Sequence, residues 1–481
     1  MGFLSLVALL PLLGATSATF SVVQHRALIP NVQQEARALP EAQFTTALGK
    51  TARRKSKRHA LALLRGKTHP GGINVPLTGA DFEEEYITNV TVGDQHFSLI
   101  VDTGSSDTWI VQKGFTCLDL SGNPVPQPTC AFGSEGFDLE ASRTFKAFPN
   151  VSLSILYGGG EFVKGDVGFD NIVVGVEIPH RLCPLFRVTF FFWGLFPHGG
   201  LSVHNQEMGF PQITAFEGDG LSSGIMGLAF PGLTSVFNTS NPDNASAANF
   251  IPYLPLFFSA IQQKAVEKPL FSIALDRASL EQQQNNSFVE NLGRLSFGGI
   301  APVPVTETST TVPVQGYSTV SGGTPSNARN STDLWYTVDV AAYKFPGSNS
   351  VNTKSNNTIL DSGTTLNLLP NDVVAAYASA CNPPAVFNAT TELYMVDCKA
   401  TVPEFYVTIG DKTFSIDPRD QILADGTDAN GNPLCVFGTQ EGGDGGNASS
   451  IFILGEVFLH NVVATFNPIE KEITLTQRAK Y

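Results

Sequence analysis

Two segments far apart in the chain repeat one pattern. One reads S-L-I-V-D-T-G-S-S-D-T-W from Ser98 to Trp109, and the other reads T-I-L-D-S-G-T-T-L-N from Thr358 to Asn367. In each, an apolar strand-like run ends in Asp, followed by Thr or Ser, then Gly, then Ser or Thr. Each copy is followed later by an apolar element containing Gly, GIMGLAF at 224–230 and IFILGEVFL at 451–459. This long-range repeat predicts two similar lobes.

Short alternating or continuously apolar runs, separated by Gly, Pro, Asn and Ser, fill the chain from Ile73 onward. Such runs are typical of β-strands, and helical periodicity is confined to short stretches after Tyr253 and Leu369. With 42% hydrophobic and 15% charged residues the chain is too apolar for disorder, and 45 glycines and 30 prolines interrupt it too often for helical bundles. The sequence therefore predicts a mostly β protein with a few short helices.

The charge is unevenly distributed. The whole chain has a formal charge of −14, which argues against a nucleic-acid partner. Ten basic and only two acidic residues lie between residues 19 and 68, including the pairs Arg53-Arg54 and Lys57-Arg58. Residues 19–70 are therefore interpreted as a basic propeptide that lies against an acidic body and is cut at dibasic pairs; a solvated basic tail is the alternative.

Residues 1–18, MGFLSLVALLPLLGATSA, have a Leu-rich run followed by small residues, as in a signal peptide. An amino-terminal membrane anchor is the alternative, but the apolar run is short for a spanning helix. No other apolar segment of 18 residues or more occurs, so no stable membrane anchor is expected. Export to the extracellular space, or alternatively to the vacuole, agrees with nine N-glycosylation sequons, at Asn89, Asn150, Asn238, Asn244, Asn285, Asn330, Asn356, Asn388 and Asn447.

The repeated Asp-Thr/Ser-Gly motif indicates a specific chemistry. A carboxylate at the end of a buried strand, next to small hydroxyl residues and a glycine, is held rigidly among hydrogen-bond donors. Two such loops related by a pseudo-twofold axis place two carboxylates about one water apart, where they share a proton. The ionised member then takes a proton from the water that attacks an amide carbon, while the protonated member hydrogen-bonds to the carbonyl oxygen. This reaction needs no metal and no cofactor.

The paired D-T-G-S and D-S-G-T motifs, with the later I-x-G-L and I-L-G elements, resemble the pepsin-like aspartic proteases and especially their secreted fungal members. The resemblance covers essentially the whole chain. It implies a bilobal double β-barrel with pseudo-twofold symmetry, an amino-terminal lobe at 71–265 and a carboxy-terminal lobe at 266–481. It also implies an acid-active, monomeric endopeptidase that is made as a zymogen, is inhibited by its own propeptide, and binds polypeptides in extended conformation.

The resemblance also assigns roles to residues. Asp102 and Asp361 would be the catalytic pair, supported by Thr103, Gly104, Ser105, Ser362, Gly363 and Thr364. Residues 155–162 resemble the flap that closes over the substrate. Flap and substrate-binding roles would fall to Tyr157, Gly158, Gly159 and Trp109.

The flap departs from the pattern of many fungal relatives at one position. Gly159 stands where those relatives carry Asp, and three consecutive glycines make the hairpin looser. Without that carboxylate, we expect weak acceptance of Lys before the scissile bond and a preference for bulky apolar residues.

The chain has six cysteines, which allow fifteen full pairings. The resemblance favours two disulfides, Cys117–Cys130 and Cys398–Cys435. It provides no partner for Cys183 or Cys381, and a buried free thiol is the favoured reading of Cys381.

Residues 176–199, a stretch rich in Phe, Leu and Pro, interrupt a join that the family makes with a short turn between two strands. Removal of these 24 residues restores the expected join and would keep the reading frame. Our hypothesis is a retained intron in the gene model. A real hydrophobic hairpin and a membrane-touching loop are the alternatives, since exposed apolar patches of this size usually have a function.

Rival functions have weaker support. Residues 220–224 match the G-x-S-x-G pattern of serine hydrolases, but Ser222 precedes an apolar run that belongs to the first lobe, so the match is interpreted as accidental. The histidines form no H-E-x-x-H metalloprotease motif. An inactive pepsin fold that acts as a binding or inhibitor protein is the remaining alternative, although both aspartates and the flap tyrosine are present.

Overall fold

The computed structural model describes residues 39–50, 85–157, 160–175, 200–284, 289, 291–316, 333–348, 356–444 and 450–481. The signal peptide, most of the propeptide segment, Gly158, Gly159, residues 176–199 with Cys183, and the sequons at Asn285, Asn330 and Asn447 lie outside the described residues. The described residues belong to one compact unit, which spans 39–481.

Strands β1–β11 precede the first helix. Their bounds are β1 Phe44–Ala47, β2 Gly49–Lys50, β3 Tyr86–Val92, β4 Gln95–Asp102, β5 Thr108–Ile110, β6 Thr116–Cys117, β7 Lys146–Leu156, β8 Phe162–Val174, β9 Leu201–Ala215, β10 Gly224–Gly227 and β11 Val236–Phe237.

The remaining strands are shorter on average. Their bounds are β12 Phe271–Leu275, β13 Gly293–Phe297, β14 Val305–Pro313, β15 Thr337–Lys344, β16 Asn356–Leu360, β17 Asn367–Leu369, β18 Val386–Asn388, β19 Leu393–Val396, β20 Phe405–Ile409, β21 Lys412–Ile416, β22 Ile422–Thr427, β23 Pro433–Phe437, β24 Thr439–Glu441, β25 Ile453–Leu454, β26 Val462–Asn467 and β27 Glu472–Arg478.

The helices are short, as the sequence predicts. The α-helices are α1 Leu256–Gln262, α2 Leu280–Gln284, α3 Asn371–Ser379 and α4 Glu456–Leu459, and 3₁₀ turns cover Gln127–Cys130, Pro231–Leu233, Pro242–Asn244 and Pro418–Gln421. Helix α3 starts directly after Pro370 and buries Val373, Val374 and Tyr377, spaced so that they share one face.

The strands form four sheets within the described residues. A ten-stranded sheet contains β2–β11, and a seven-stranded sheet has the order β21-β20-β15-β16-β25-β17-β24. A four-stranded sheet has the order β18-β19-β23-β22. A six-stranded sheet has the order β1-β13-β12-β26-β27-β14, so that β1 is joined to strands from the carboxy-terminal half.

The sequence repeat reappears as a structural repeat. Strand β10 lies between β4 and β5, parallel to the first and antiparallel to the second. Strand β25 lies in the same way between β16 and β17. Asp102 is the last residue of β4, and Asp361 directly follows the last residue of β16. The mostly β, two-fold repeated architecture expected from the sequence is therefore confirmed.

Residues 39–50, which fall within the predicted propeptide, pack into this body. Strand β1 pairs with β13 and β2 pairs with β3. Leu48 is fully buried in the main core and Lys50 is 1% exposed. This part of the predicted propeptide thus contributes to the core, which its basic composition did not indicate.

Strands β8 and β9 flank the suspect insertion and stay paired up to the residues beside it. Ile172 pairs with Val203 and Val174 with Leu201. Gly175 has φ +84°, and a Cβ on Gly200 would stand 2.0 Å from the carbonyl oxygen of Val174. The strand ends on either side of residues 176–199 therefore already face each other as the two arms of a hairpin.

The structure contains the disulfides Cys117–Cys130 and Cys398–Cys435, the two pairs that the resemblance favours. Cys381 is a buried free thiol whose pKa is raised to about 11 by burial. No helix in the part of the chain that the structure describes is long and apolar enough to cross a membrane.

Candidate active site

The first loop of the site begins where β4 ends. The backbone N–H of Gly104 donates to Asp102 Oδ1 at 2.7 Å, and Ser105 Oγ donates to Asp102 Oδ2 at 2.5 Å. The carbonyl of Asp102 accepts from the N–H of Leu228, which follows β10. Each oxygen of this carboxyl group is thus held by a separate donor on a loop fixed by the neighbouring strand.

The second loop has the same donors in the same places. The N–H of Gly363 donates to Asp361 Oδ1 at 2.9 Å, and Thr364 Oγ1 donates to Asp361 Oδ2 at 2.7 Å. The N–H of Asp361 donates to the carbonyl of Leu454 on β25. The correspondence is residue by residue, with Thr364 in place of Ser105.

Thr103 and Ser362 bind each other beneath the two aspartates. The N–H of Thr103 donates to Ser362 Oγ at 3.1 Å, and the N–H of Ser362 donates to Thr103 Oγ1 at 3.0 Å. Thr103 Oγ1 donates to the carbonyl of Leu360, and Ser362 Oγ donates to that of Val101. Since both side chains are fully buried, these four bonds fix the distance between the loops.

The two carboxyl groups face each other. A Cβ on Gly104 would stand 2.5 Å from Asp361 Oδ1, and a Cβ on Gly363 would stand 2.7 Å from Asp102 Oδ1. Only glycine leaves room for the opposite carboxylate at these positions. The pKa of Asp102 is raised, because burial disfavours its charge and because the negative charge of Asp361 lies beside it. The arrangement favours one proton shared by the pair.

Tyr157 directly follows β7 in the hairpin that β7 forms with β8. Strands β7 and β8 pair up to Leu156 and Phe162, and the N–H of Tyr157 donates to the carbonyl of Glu161. Trp109 Nε1 donates to Tyr157 Oη at 2.7 Å. Since Trp109 is fully buried, this bond fixes the position of the Tyr157 hydroxyl group. The structure thus brings together Tyr157 and Trp109; Gly158 and Gly159 lie outside the described residues.

An aromatic cluster lies next to the tyrosine. Phe216 lies 5.7 Å from Tyr157 and 5.5 Å from Trp109, measured between ring centroids. Phe132 stacks on Phe216 at 6.0 Å, and Phe115 is edge-on to Phe132 at 5.3 Å. These rings form a mostly buried apolar cluster next to Tyr157. The sequence analysis did not identify these phenylalanines, because no motif marks their positions.

Sequence reasoning also missed one buried and one half-buried polar group. Trp335 Nε1 donates to the carbonyl of Gly104 at 2.9 Å and so holds the first loop from the other half of the molecule. Glu207 lies near Asp107, and burial together with the charge of Asp107 raises the pKa of Glu207 to about 7. Neither position carries a signal readable from a short motif.

Ser222 does not have the setting of a hydrolase nucleophile. Its hydroxyl donates to Asp219 Oδ1 at 2.9 Å within the same loop, and strand β10, not a helix, follows it. The described residues contain no group of three or more His, Cys, Asp or Glu side chains that could hold a metal ion.

The eukaryotic aspartyl protease family model matches residues 85–181 and 197–478, leaving a gap inside the suspect insertion. The chain belongs to the eukaryotic aspartyl proteases. It is 33% identical over 385 residues to a probable aspartic-type endopeptidase of Aspergillus fumigatus, covering 79% of this chain and 76% of the relative. It is 28% identical to penicillopepsin-1 of Penicillium janthinellum, covering 80% of this chain and 92% of the relative.

A solved structure gives an independent comparison of the fold. The aspartic proteinase from Irpex lacteus aligns with a TM-score of 0.57 at 20% identity, covering 82% of this chain and 94% of that one. At this identity the likeness concerns the fold alone, and it agrees with the pepsin-like architecture. The family match and the relatives together show that the chain is an aspartic-type endopeptidase.

Proposed function

We propose that this aspartyl protease hydrolyses peptide bonds at acidic pH with Asp102 and Asp361 as its catalytic pair. The observation that carries the proposal is the mirrored set of donors around the two carboxyl groups. Gly104 and Ser105 serve one as Gly363 and Thr364 serve the other. Equivalent environments let two carboxyl groups bind one water between them and share one proton.

The reaction then follows from that one proton. The ionised carboxylate takes a proton from the water as its oxygen attacks the amide carbon, and the protonated carboxyl group hydrogen-bonds to the carbonyl oxygen as charge develops there. Proton transfer to the amide nitrogen releases the amine, and the pair returns to its one-proton state. Loss of that proton at higher pH removes the acid, so activity is confined to the acid side of the raised pKa.

We propose that the enzyme prefers substrates with bulky apolar residues next to the scissile bond. The apolar surroundings of Tyr157 support this, because Phe216 packs against the tyrosine ring and Phe132 stacks on Phe216. The carboxylate of Glu161 at the flap base is 5% exposed and accepts from the N–H of Glu217. It is therefore engaged within the protein, in keeping with weak acceptance of Lys before the scissile bond.

We further propose that the enzyme is exported, glycosylated and made as a zymogen whose segment 19–70 inhibits it. Lys50, the one basic residue of that segment within the described part, lies in the acidic body with Glu456 as its partner. This supports a basic segment docked on the enzyme. Recovery of the protein from the culture medium or from vacuoles decides between the two destinations.

The chain as translated in the cell would lack residues 176–199. Joining Gly175 to Gly200 leaves a two-residue Gly-Gly turn between paired Val174 and Leu201, and such turns favour glycine with positive φ at the first position. The family match resumes at residue 197. A sequenced transcript that contains the codons for 176–199 would refute this reading.

The test of the enzyme assignment uses acid-treated protein and a library of peptides with varied residues before the scissile bond. We expect cleavage at acidic pH next to bulky apolar residues, inhibition by a pepstatin-type inhibitor, and no reaction with serine-directed phosphonates. Efficient cleavage after Lys would contradict the specificity alone. Tight inhibitor binding without any cleavage would favour the alternative of an inactive binding protein.

A further inference from the structure

A cavity of about 530 Å³ opens beside the four-stranded sheet of the carboxy-terminal half. None of the residues that hold the Asp102–Asp361 dyad or the flap lines this cavity. Its wall combines apolar side chains, among them Met395 and Leu434, with the polar side chains of Asp397 and Lys399. A lining that mixes apolar and polar side chains suits a small molecule with both kinds of surface, and the volume lies in the usual range of roughly 300–1,000 Å³.

Asn388 borders this cavity and begins the sequon Asn388-Ala389-Thr390. Its side chain is exposed, and its Oδ1 accepts from the N–H of Thr390 at 2.9 Å. Among the described residues its Nδ2 has no hydrogen-bond partner. The atom that oligosaccharyl transfer modifies is therefore free at the edge of the cavity.

The strand that carries Asn388 exposes more apolar surface than a sheet edge usually tolerates. Val386 is 66% exposed and Phe387 is 44% exposed on β18, an edge strand of the four-stranded sheet. Uncovered apolar edges invite pairing with other chains. Val386 lies on the same face of the strand as Asn388, since side chains two residues apart share a face. A group attached to Asn388 would cover that face.

We propose that Asn388 carries an N-linked glycan and that its first N-acetylglucosamine lies in this cavity. The apolar face of the sugar would pack on Met395 and Leu434, and its hydroxyl and amide groups would meet Asp397 and Lys399. The inference rests on the proposed export, because N-glycosylation occurs on the secretory route.

The structure also sets a contrast among the sequons. The Nδ2 of Asn356 is buried, without a hydrogen-bond partner among the described residues. A glycan on that atom would have to break the packing around it, so we expect Asn356 to be unmodified in the folded protein. Asn244 has an exposed side chain and lines no part of the cavity. It is a matched control for a glycan that stands in solvent.

The experiment is site-specific glycopeptide mass spectrometry of protein from a glycosylating fungal host, followed by timed release with an endoglycosidase under native conditions. We expect Asn388 occupied, Asn356 empty, and release from Asn388 about tenfold slower than from Asn244, the factor that 1.4 kcal/mol of contact corresponds to. Met395→Trp, which fills the cavity, should make the two rates equal. Asn388→Gln should leave kcat/KM unchanged and increase aggregation.

Two outcomes overturn the inference. One is an unmodified Asn388 in protein that is glycosylated elsewhere, and the other is a glycan on Asn388 released as fast as that on Asn244. Protein with no glycan at any sequon overturns both the inference and the proposed export. Peptidase activity measured on the same sample decides separately whether the enzyme assignment stands.

Discussion

Lys50 Nζ donates to Glu456 Oε2 at 3.1 Å in a pair whose side chains are 2% and 1% exposed. The ammonium group also lies 4.7 Å from the centre of the Tyr86 ring. Glu456 begins helix α4, and its N–H donates to the carbonyl of Thr364, which holds Asp361. The segment before the dibasic sites is thus connected through one ion pair to the loop of the second aspartate.

Replacing Lys50 by Met should strongly destabilise the uncleaved chain. Removal of one member of a buried ion pair leaves the other charge without compensation and costs about 3–5 kcal/mol. Urea unfolding measures the loss on a precursor in which Asp361→Asn prevents self-cleavage and Ala replaces the dibasic pairs Arg53-Arg54 and Lys57-Arg58. The matched control is Lys480→Met, because Lys480 pairs with Glu404 at 3.6 Å with 86% of its side chain exposed. The control should cost under about 1 kcal/mol, and equal losses in both variants would contradict a stabilising role of the Lys50–Glu456 ion pair.

The Thr103 side chain should matter for turnover more than for substrate binding. Thr103→Val keeps the shape but removes the oxygen that accepts from Ser362 and donates to Leu360. A buried donor left without a partner costs about 1–3 kcal/mol, and misplaced carboxyl groups lower kcat with little change in KM. Thr311→Val, at an exposed pair with Thr474, is the control. A Thr103→Val enzyme with normal kcat would show that the loops are fixed by other contacts.

The raised pKa of Glu207 predicts that the folded protein loses stability as the pH rises towards neutral. Its pKa is 4.5 in an unperturbed setting and about 7 in the fold, raised by burial and by Asp107. The folded state therefore favours the protonated form, and this stabilisation is complete below pH 4.5 and is lost as the pH rises through about 7. Glu207→Gln, neutral at every pH, should show a smaller fall in Tm between about pH 5 and pH 8.

Glu470→Gln, at an exposed position, is the control for these measurements of Tm against pH. The dyad titrates in both the parent and the Glu207→Gln protein, so the difference between their pH profiles isolates residue 207. Parallel profiles would mean that Glu207 is ionised without cost in the fold.

Deleting residues 176–199 should give a well-folded enzyme. Val174 and Leu201 already pair, and the new Gly175-Gly200 turn needs no change of register. We expect higher yield, less aggregation and at least equal kcat/KM for the deletion variant. A matched deletion that also removes Gly175 and Gly200 should fold poorly, because it leaves no residues for the turn. Loss of activity on deleting 176–199 alone would assign that segment a real role.

The active-site geometry was largely predictable from the sequence because it depends on short motifs. Asp102, Thr103 and Gly104 are consecutive, and one repeat of the pattern implies the facing partner. The role of Lys50 was not predictable, since Glu456 lies at the other end of the chain and nothing near Lys50 distinguishes it from its basic neighbours. Phe132 and Phe216 converge only because β9 and the first disulfide loop fold together.

The central claim is that one proton shared by Asp102 and Asp361 drives peptide hydrolysis. The direct test compares the parent enzyme with Asp361→Asn and Asp102→Asn on one apolar peptide at acidic pH, with circular dichroism and binding of a pepstatin-type inhibitor as checks of the fold. We predict that each variant folds and loses cleavage by at least about a thousandfold, as expected when a positioned acid or base is removed. Cleavage by either folded variant at a rate near that of the parent would contradict the dyad.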